Sequence, residues 1–173
     1  MSHILIIRGY SGCGKSTVSK YLASKYGYAC LEYDDFLFGM NGCKKCGRFE
    51  HEIAFKNFLM VLSNYLKSNK NVIIDGPFFA ISKFDPLDFE KVLKKIKKSK
   101  TKFNMVQLVS NEQVQLKRMR KRNHVVPVWA RRAIKKGVDS TRLEYEEIID
   151  TSELSIRQVI NRIVKNHIKI DKK

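Results

Sequence analysis

Residues 9–17 read Gly-Tyr-Ser-Gly-Cys-Gly-Lys-Ser-Thr, directly after an unbroken apolar run of Ile4, Leu5, Ile6 and Ile7. Nothing else in the chain restricts its fold so tightly. Glycines at 9, 12 and 14 let successive backbone N–H groups turn toward one point, an arrangement that suits a bound polyanion. The spacing G-x-x-x-x-G-K-S is that of a phosphate-binding loop, which belongs between a buried strand and the first turn of a helix. In that setting Lys15 reaches the β- and γ-phosphates of a nucleoside triphosphate, and the Ser16 hydroxyl holds Mg²⁺. A helix beginning at Lys15 adds its positive dipole end to the same anion. The expected nucleotide contacts are Gly9, Ser11, Gly12, Cys13, Gly14, Lys15, Ser16 and Thr17, with ATP and Mg²⁺ as cofactors. Such a loop leaves the fate of the γ-phosphate open, because kinases, motor ATPases, GTP switches and sulfotransfer relatives share it.

Further apolar runs predict buried parallel strands at 3–8, 29–33, 71–75, 103–109 and 145–149, each separated from the next by a helical pattern. One helix is expected from about Glu50 to Leu66, with Phe55, Phe58, Leu59, Leu62 and Leu66 on its core face. Another follows Pro86, and a last one starts after Thr151-Ser152 with Ile156, Val159, Ile160 and Ile163 facing inward. The pattern predicts an α/β fold: a three-layer sandwich with a five-stranded parallel sheet, built as one domain over 1–173 with a small lid near 118–137. Ligands of such sheets bind at the carboxyl ends of the strands, so the chemistry belongs in the loops that follow them.

Composition narrows the setting. No apolar stretch is long enough to span a membrane and no charged-then-apolar leader is present, so a cytoplasmic location is expected. A net charge of +17, from 34 basic against 17 acidic residues, invites a polyanionic partner such as nucleic acid. Lysine dominates that excess, however, and Lys91, Lys94, Lys95, Lys97, Lys98, Lys100 and Lys102 read as one solvated helix face. Of the four cysteines, only Cys43 and Cys46 have ligand spacing. With His51 they count three zinc ligands, one short of a closed set, and a turn in a loop is the plainer reading.

The second strand leads into Tyr33-Asp34-Asp35-Phe36, which places two carboxylates at the edge of the sheet that carries the phosphate loop. A hydroxyl acceptor gains from a carboxylate that orients it and takes its proton as the bond to phosphorus forms. Asp34 is favoured for that work, with Asp35 in reserve. The third strand ends in Asp75-Gly76, an acid able to hold the Mg²⁺ shell. A motor ATPase would carry a glutamate after that aspartate to activate water, and a GTP switch would carry a guanine reader of the Asn-Lys-x-Asp type. This chain has neither, which favours phosphoryl transfer. After the fourth strand, Arg118 and Arg122 stand one helical turn apart, a pair suited to closing over a transferring phosphoryl group. His124 is given no role, and Trp129 suits covering the lid as well as stacking on a base.

On these residues the chain resembles the P-loop kinase superfamily, in the small-lid branch of polynucleotide 5′-hydroxyl kinases, zeta toxins, gluconate kinases and nucleoside-type kinases. Tyr33-Asp34-Asp35-Phe36 is similar to the Arg-Asp-Asp-Tyr string of phage-type polynucleotide kinases, which places Asp34 on that family's base. Arg118 and Arg122, followed by Val125-Val126-Pro127, resemble its arginine lid. The string Ile149 to Ser155 is similar to the segment that backs the adenine ring, which implies a nucleotide contact for Thr151. Two departures stand out: Leu37 replaces an arginine that contacts acceptor phosphate, and the Cys43–Cys46 insert has no counterpart. The resemblance implies a phosphotransferase whose acceptor is a polynucleotide 5′-hydroxyl or a nucleotide-like hydroxyl. A nucleoside or other small-metabolite kinase is the first alternative, since Phe36, Phe38, Phe78 and Phe79 suit either stacking on a base or filling the core. A non-catalytic nucleotide-binding nucleic-acid module is the second.

Overall fold

The computed structural model describes residues 2–39, 48–78, 89–121 and 145–168. Five parallel strands lie in the order β2-β3-β1-β4-β5. They are β1 (His3–Arg8), β2 (Ala29–Glu32), β3 (Val72–Gly76), β4 (Lys102–Val109) and β5 (Glu147–Asp150). In register, Arg8 of β1 stands beside Gly76 on one side and Gln107 on the other, so the carboxyl ends of three strands meet where the phosphate loop begins.

Helices cover both faces because neighbouring β1 residues point opposite ways. Ile4 and Ile6 pack with Phe55, Phe58 and Leu62 of α2 (Arg48–Lys67) and with Phe89, Val92 and Ile96 of α3 (Phe89–Lys98). Leu5 and Ile7 pack with Val18 and Leu22 of α1 (Lys15–Tyr26) and with Val159, Ile160 and Ile163 of α5 (Ile156–His167). Burial of each such side chain is worth about 1.5–3 kcal/mol, which makes these two layers the main support of the sheet. A shorter helix, α4 (Glu112–Arg120), starts at Asn111, whose side chain accepts from Val114 N at 2.9 Å.

The expected three-layer sandwich is present, with strand ends shifted by one or two residues. Two details differ. Ile156, expected to face inward, is 51% exposed: Ser155 and Gln158 form a capping box that starts α5 there, and the first turn runs past the edge of the core. The second strand stops at Glu32, and after Tyr33 and Asp34 the chain enters a π-helical turn over Asp35–Gly39. Tyr33 and Leu37 drop into the core from this segment, leaving Asp34 and Asp35 exposed between them. On α3, Phe89, Val92 and Ile96 are buried while Lys91, Lys94, Lys97 and Lys98 face solvent, which is the solvated lysine face expected. Among the described residues no helix is long and apolar enough to cross a membrane.

Candidate active site

The loop between β1 and α1 is shaped by contacts that only its glycines permit. Gly9 adopts φ +146, and a Cβ there would lie 2.2 Å from the Leu108 carbonyl oxygen of β4. Gly14 caps α1 at φ +100 with nothing within 4 Å of where its side chain would be. No side chain caps this helix start. Its first N–H groups therefore face an open concavity, the arrangement that binds an anion. The carbonyl of Tyr10 gathers the loop from within, accepting from Cys13 N at 3.4 Å, Cys13 Sγ at 2.8 Å and Lys15 Nζ at 3.4 Å. Burial pushes the Cys13 thiol pKa up, so this cysteine stays a neutral packing group.

A small cleft of about 120 Å³ opens above the loop, lined by Ser11, Gly12, Gly14, Lys15, Ser16, Asp34 and Met119. The first carboxylate of the Asp34-Asp35 pair thus shares a cavity with the phosphate cradle. Asp35 instead opens the π-helical turn.

Asp75 is 2% exposed at the end of β3. Desolvation pushes its carboxyl up to about 6, against the opposing pull of the Lys15 charge and a Ser16 hydrogen bond. Glu32 and Asp34 add to the rise by like-charge repulsion. One oxygen, Oδ2, is buried with no hydrogen-bond partner. A hard, oxygen-seeking divalent cation beside Ser16 and Asp75 satisfies that orphaned oxygen and offsets the desolvation, so the residues present fit Mg²⁺.

Arg118 takes a definite position beside the phosphate loop. Its Nη1 donates to Thr151 Oγ1 at 3.0 Å and to Gly12 O at 3.4 Å, and its Nη2 donates to Thr151 O at 2.7 Å. Thr151 is 3% exposed, and its hydroxyl lies 2.9 Å from Val109 O and 3.2 Å from Cys13 O. Arg118 and Thr151 wall a second cleft of about 180 Å³ with Cys13, Gly14, Val18, Leu154, Ile156 and Val159. That cleft is mostly apolar and continues from the phosphate loop, as a purine ring requires. The exposure of Ile156 is explained by its place on this wall. Arg122 lies outside the described residues, as do Cys43, Cys46, Phe79, His124 and Trp129.

The expected aromatic set divides. Phe78 is fully buried and Phe36 packs on Phe58 with centroids 5.5 Å apart, while Phe38 is half exposed. His51, the third zinc candidate, is stacked on Tyr33 with its Nδ1 3.3 Å from the Tyr33 hydroxyl. No group of three or more His, Cys, Asp or Glu side chains that could hold a metal ion occurs among the described residues.

Sequence reasoning missed two groups. Glu32 is 6% exposed beside Asp75 in the sheet and pairs with Lys20 at 3.1 Å. Arg8, fully buried just before Gly9, donates from Nε to Glu146 Oε2 at 2.6 Å and from Nη2 to Glu146 Oε1. It also donates to Phe78 O at 2.8 Å and Gln107 Oε1 at 3.2 Å. A charged residue closing an apolar strand was the available signal.

Comparison with known proteins agrees with this geometry. A candidate kinase from Chloroflexus aurantiacus superposes with a TM-score of 0.74 at 16% identity, over 95% of this chain and 94% of its own. The Pnkp1/Rnl/Hen1 RNA repair complex contains a chain that superposes with a TM-score of 0.69 at 21% identity, over 84% of this chain and 47% of that one. In sequence, a Staphylococcus epidermidis shikimate kinase is 36% identical over 67 residues, a match that spans only 39% of each protein. An AAA domain family, AAA_33, matches residues 4–141, a span that carries the phosphate loop, Asp34, Asp75 and Arg118. The chain therefore belongs to the AAA_33 family and has the fold of the P-loop kinases.

Proposed function

We propose that this protein is an ATP-dependent kinase that moves the γ-phosphate onto a hydroxyl, with a polynucleotide 5′-hydroxyl or nucleotide-like acceptor. The observation that carries the reading is the shared cavity of Asp34 with Lys15, Ser16 and the loop glycines. A carboxylate so placed accepts the hydroxyl proton as the oxygen approaches phosphorus, and a phosphate acceptor would have no use for it. Lys15 and the N–H groups of the loop hold the β- and γ-phosphates and take up charge that spreads over the equatorial oxygens. When bound, Mg²⁺ supplies charge neutralisation across the phosphates, with Ser16 and Asp75 as its protein anchors. Arg118, clasped by Thr151, borders the base side.

The formal net charge of +17 and the likeness in fold to a chain of an RNA repair complex support this acceptor class. The local identity with a shikimate kinase favours a second reading, a small hydroxylated metabolite as acceptor. The deciding experiment offers γ-labelled ATP and a panel of 5′-hydroxyl oligonucleotides, nucleosides, nucleotides and polyols. Label on the oligonucleotide, with an affinity that falls steeply with salt, supports the first reading. Label confined to a small polyol or nucleoside supports the second. Phosphate release stimulated by nucleic acid, with no labelled acceptor, refutes both.

A further inference from the structure

A cavity without an assigned role lies at the opposite end of the sheet, about 20 Å from the phosphate loop along the six residues of β1. It holds about 580 Å³ and is lined by Ser2, His3, Tyr28, Asn71, Lys102, Asn104 and the end of α5 from Lys165 to Ile168. That volume lies within the range of sites for small organic ligands. No carboxylate is among the lining residues. Glu147, the acid nearest in contact, is occupied by Arg162, Asn166 and His167.

Two amide groups of the wall present their N–H donors. Asn71 Oδ1 accepts from the backbone N–H of His3 at 2.8 Å, which fixes its amide nitrogen as the free end. Asn104 Oδ1 lies 2.7 Å from His3 Nε2, so that nitrogen carries the proton and Asn104 likewise keeps its NH₂ in hand. His3 Nδ1 then accepts from the Tyr28 hydroxyl at 3.0 Å. His167 binds Glu147 through Nε2, and its Nδ1 is buried with no partner. Lys102 and Lys165 make no ion pair with a described residue.

The carboxyl end of α5 borders the same space, and its dipole opposes an anion. Lys165 in its last turn offsets that opposition. Lys102 comes from a strand and has no helix end to neutralise, so its charge is surplus together with the two amide donors.

We propose that this cleft is a second ligand site, for a phosphorylated small molecule of sugar-phosphate or mononucleotide size, separate from the phosphate loop. Lys102 and Lys165 hold the phosphate, while Asn71, Asn104 and the His167 Nδ1 address the polar body of the ligand.

The test uses the full chain with the phosphate loop saturated by a non-hydrolysable ATP analogue and Mg²⁺. Ribose 5-phosphate, ribose and inorganic phosphate are then titrated while the ring resonances of the four histidines are followed. His3 and His167 should shift saturably with ribose 5-phosphate and not with ribose, and His51 and His124 should not move. Lys102→Ala combined with Lys165→Ala should weaken that binding about tenfold or more and leave analogue affinity unchanged. Three results overturn the proposal: no saturable shift of His3 or His167, equal binding by the double variant, or inorganic phosphate binding as tightly as ribose 5-phosphate, which marks an adventitious ion only.

Discussion

Thr151 clasps the Arg118 guanidinium twice, with its side-chain oxygen at 3.0 Å and its carbonyl at 2.7 Å. The same hydroxyl lies within hydrogen-bond distance of Cys13 O in the phosphate loop and Val109 O at the end of β4. This one buried hydroxyl accepts from Arg118 and donates to one of the two carbonyls, which ties α4 to the loop-and-strand edge of the second cleft.

Thr151→Val keeps the shape and removes the hydroxyl, leaving buried groups unpaired at a cost of about 1–3 kcal/mol. Nucleotide affinity should fall about tenfold by calorimetric titration, and Thr151→Ser should restore most of it. Equal affinity in the valine variant would show that Arg118 is held in place without this contact.

Asp34→Asn tests the transfer step. Asparagine preserves size and removes the proton acceptor, so turnover should drop by about 10²–10⁴-fold. Affinity for ATP should change by no more than about twofold, because the loop glycines and Lys15 are untouched. Parallel loss of turnover and nucleotide binding would count against the role of Asp34 as a base.

Asp75 carries a pKa raised by burial from its ordinary value of 3.8 to about 6. A carboxyl raised on folding contributes stability that is present below the unfolded pKa and lost as pH rises through the folded one. Above about pH 6 the nucleotide-free protein thus carries an unfavourable buried charge. Asp75→Asn should raise its melting temperature at neutral pH by about 3 °C or more. The same variant should lose the Mg²⁺ dependence of nucleotide binding, an exchange of function for stability that thermal scans with and without Mg²⁺·ATP would reveal.

Glu147 shifts the other way. Burial pushes its carboxyl up, but hydrogen bonds from Asn166, Arg162 and His167 outweigh that and hold it below the ordinary 4.5. Its stabilising effect is therefore present above the unfolded pKa and lost as pH falls through the folded one. Glu147→Gln should cost about 1 kcal/mol in urea unfolding at neutral pH. The difference between wild type and variant should shrink as pH falls below 4.5 and vanish in stronger acid.

Much of this architecture can be read from residue order because strands buried on both faces must be apolar throughout, and Ile4–Ile7 and Val72–Ile74 are. The phosphate loop is legible for a similar reason: each glycine answers a local backbone demand. Contacts between distant residues are not. Arg118 read as a lid arginine from its spacing to Arg122, but its direction depends on α4 packing against the loop, where a Cβ on Gly12 would stand 3.0 Å from Gln115 O. Ile156 fits the helical period yet sits over a cleft, since periodicity records which face a residue takes and not where the core ends. Residue order does not tell Asp34 from Asp35; in the fold, Asp34 lines the cleft above the loop while Asp35 opens the π-helical turn.

The buried Arg8–Glu146 pair joins residues 138 positions apart, and so does the contact of Thr151 with Cys13. Both tethers of the cradle come from the residues that flank β5. Closure across so long a separation is slow, so the cradle gains its supports only once the far side of the sheet has assembled.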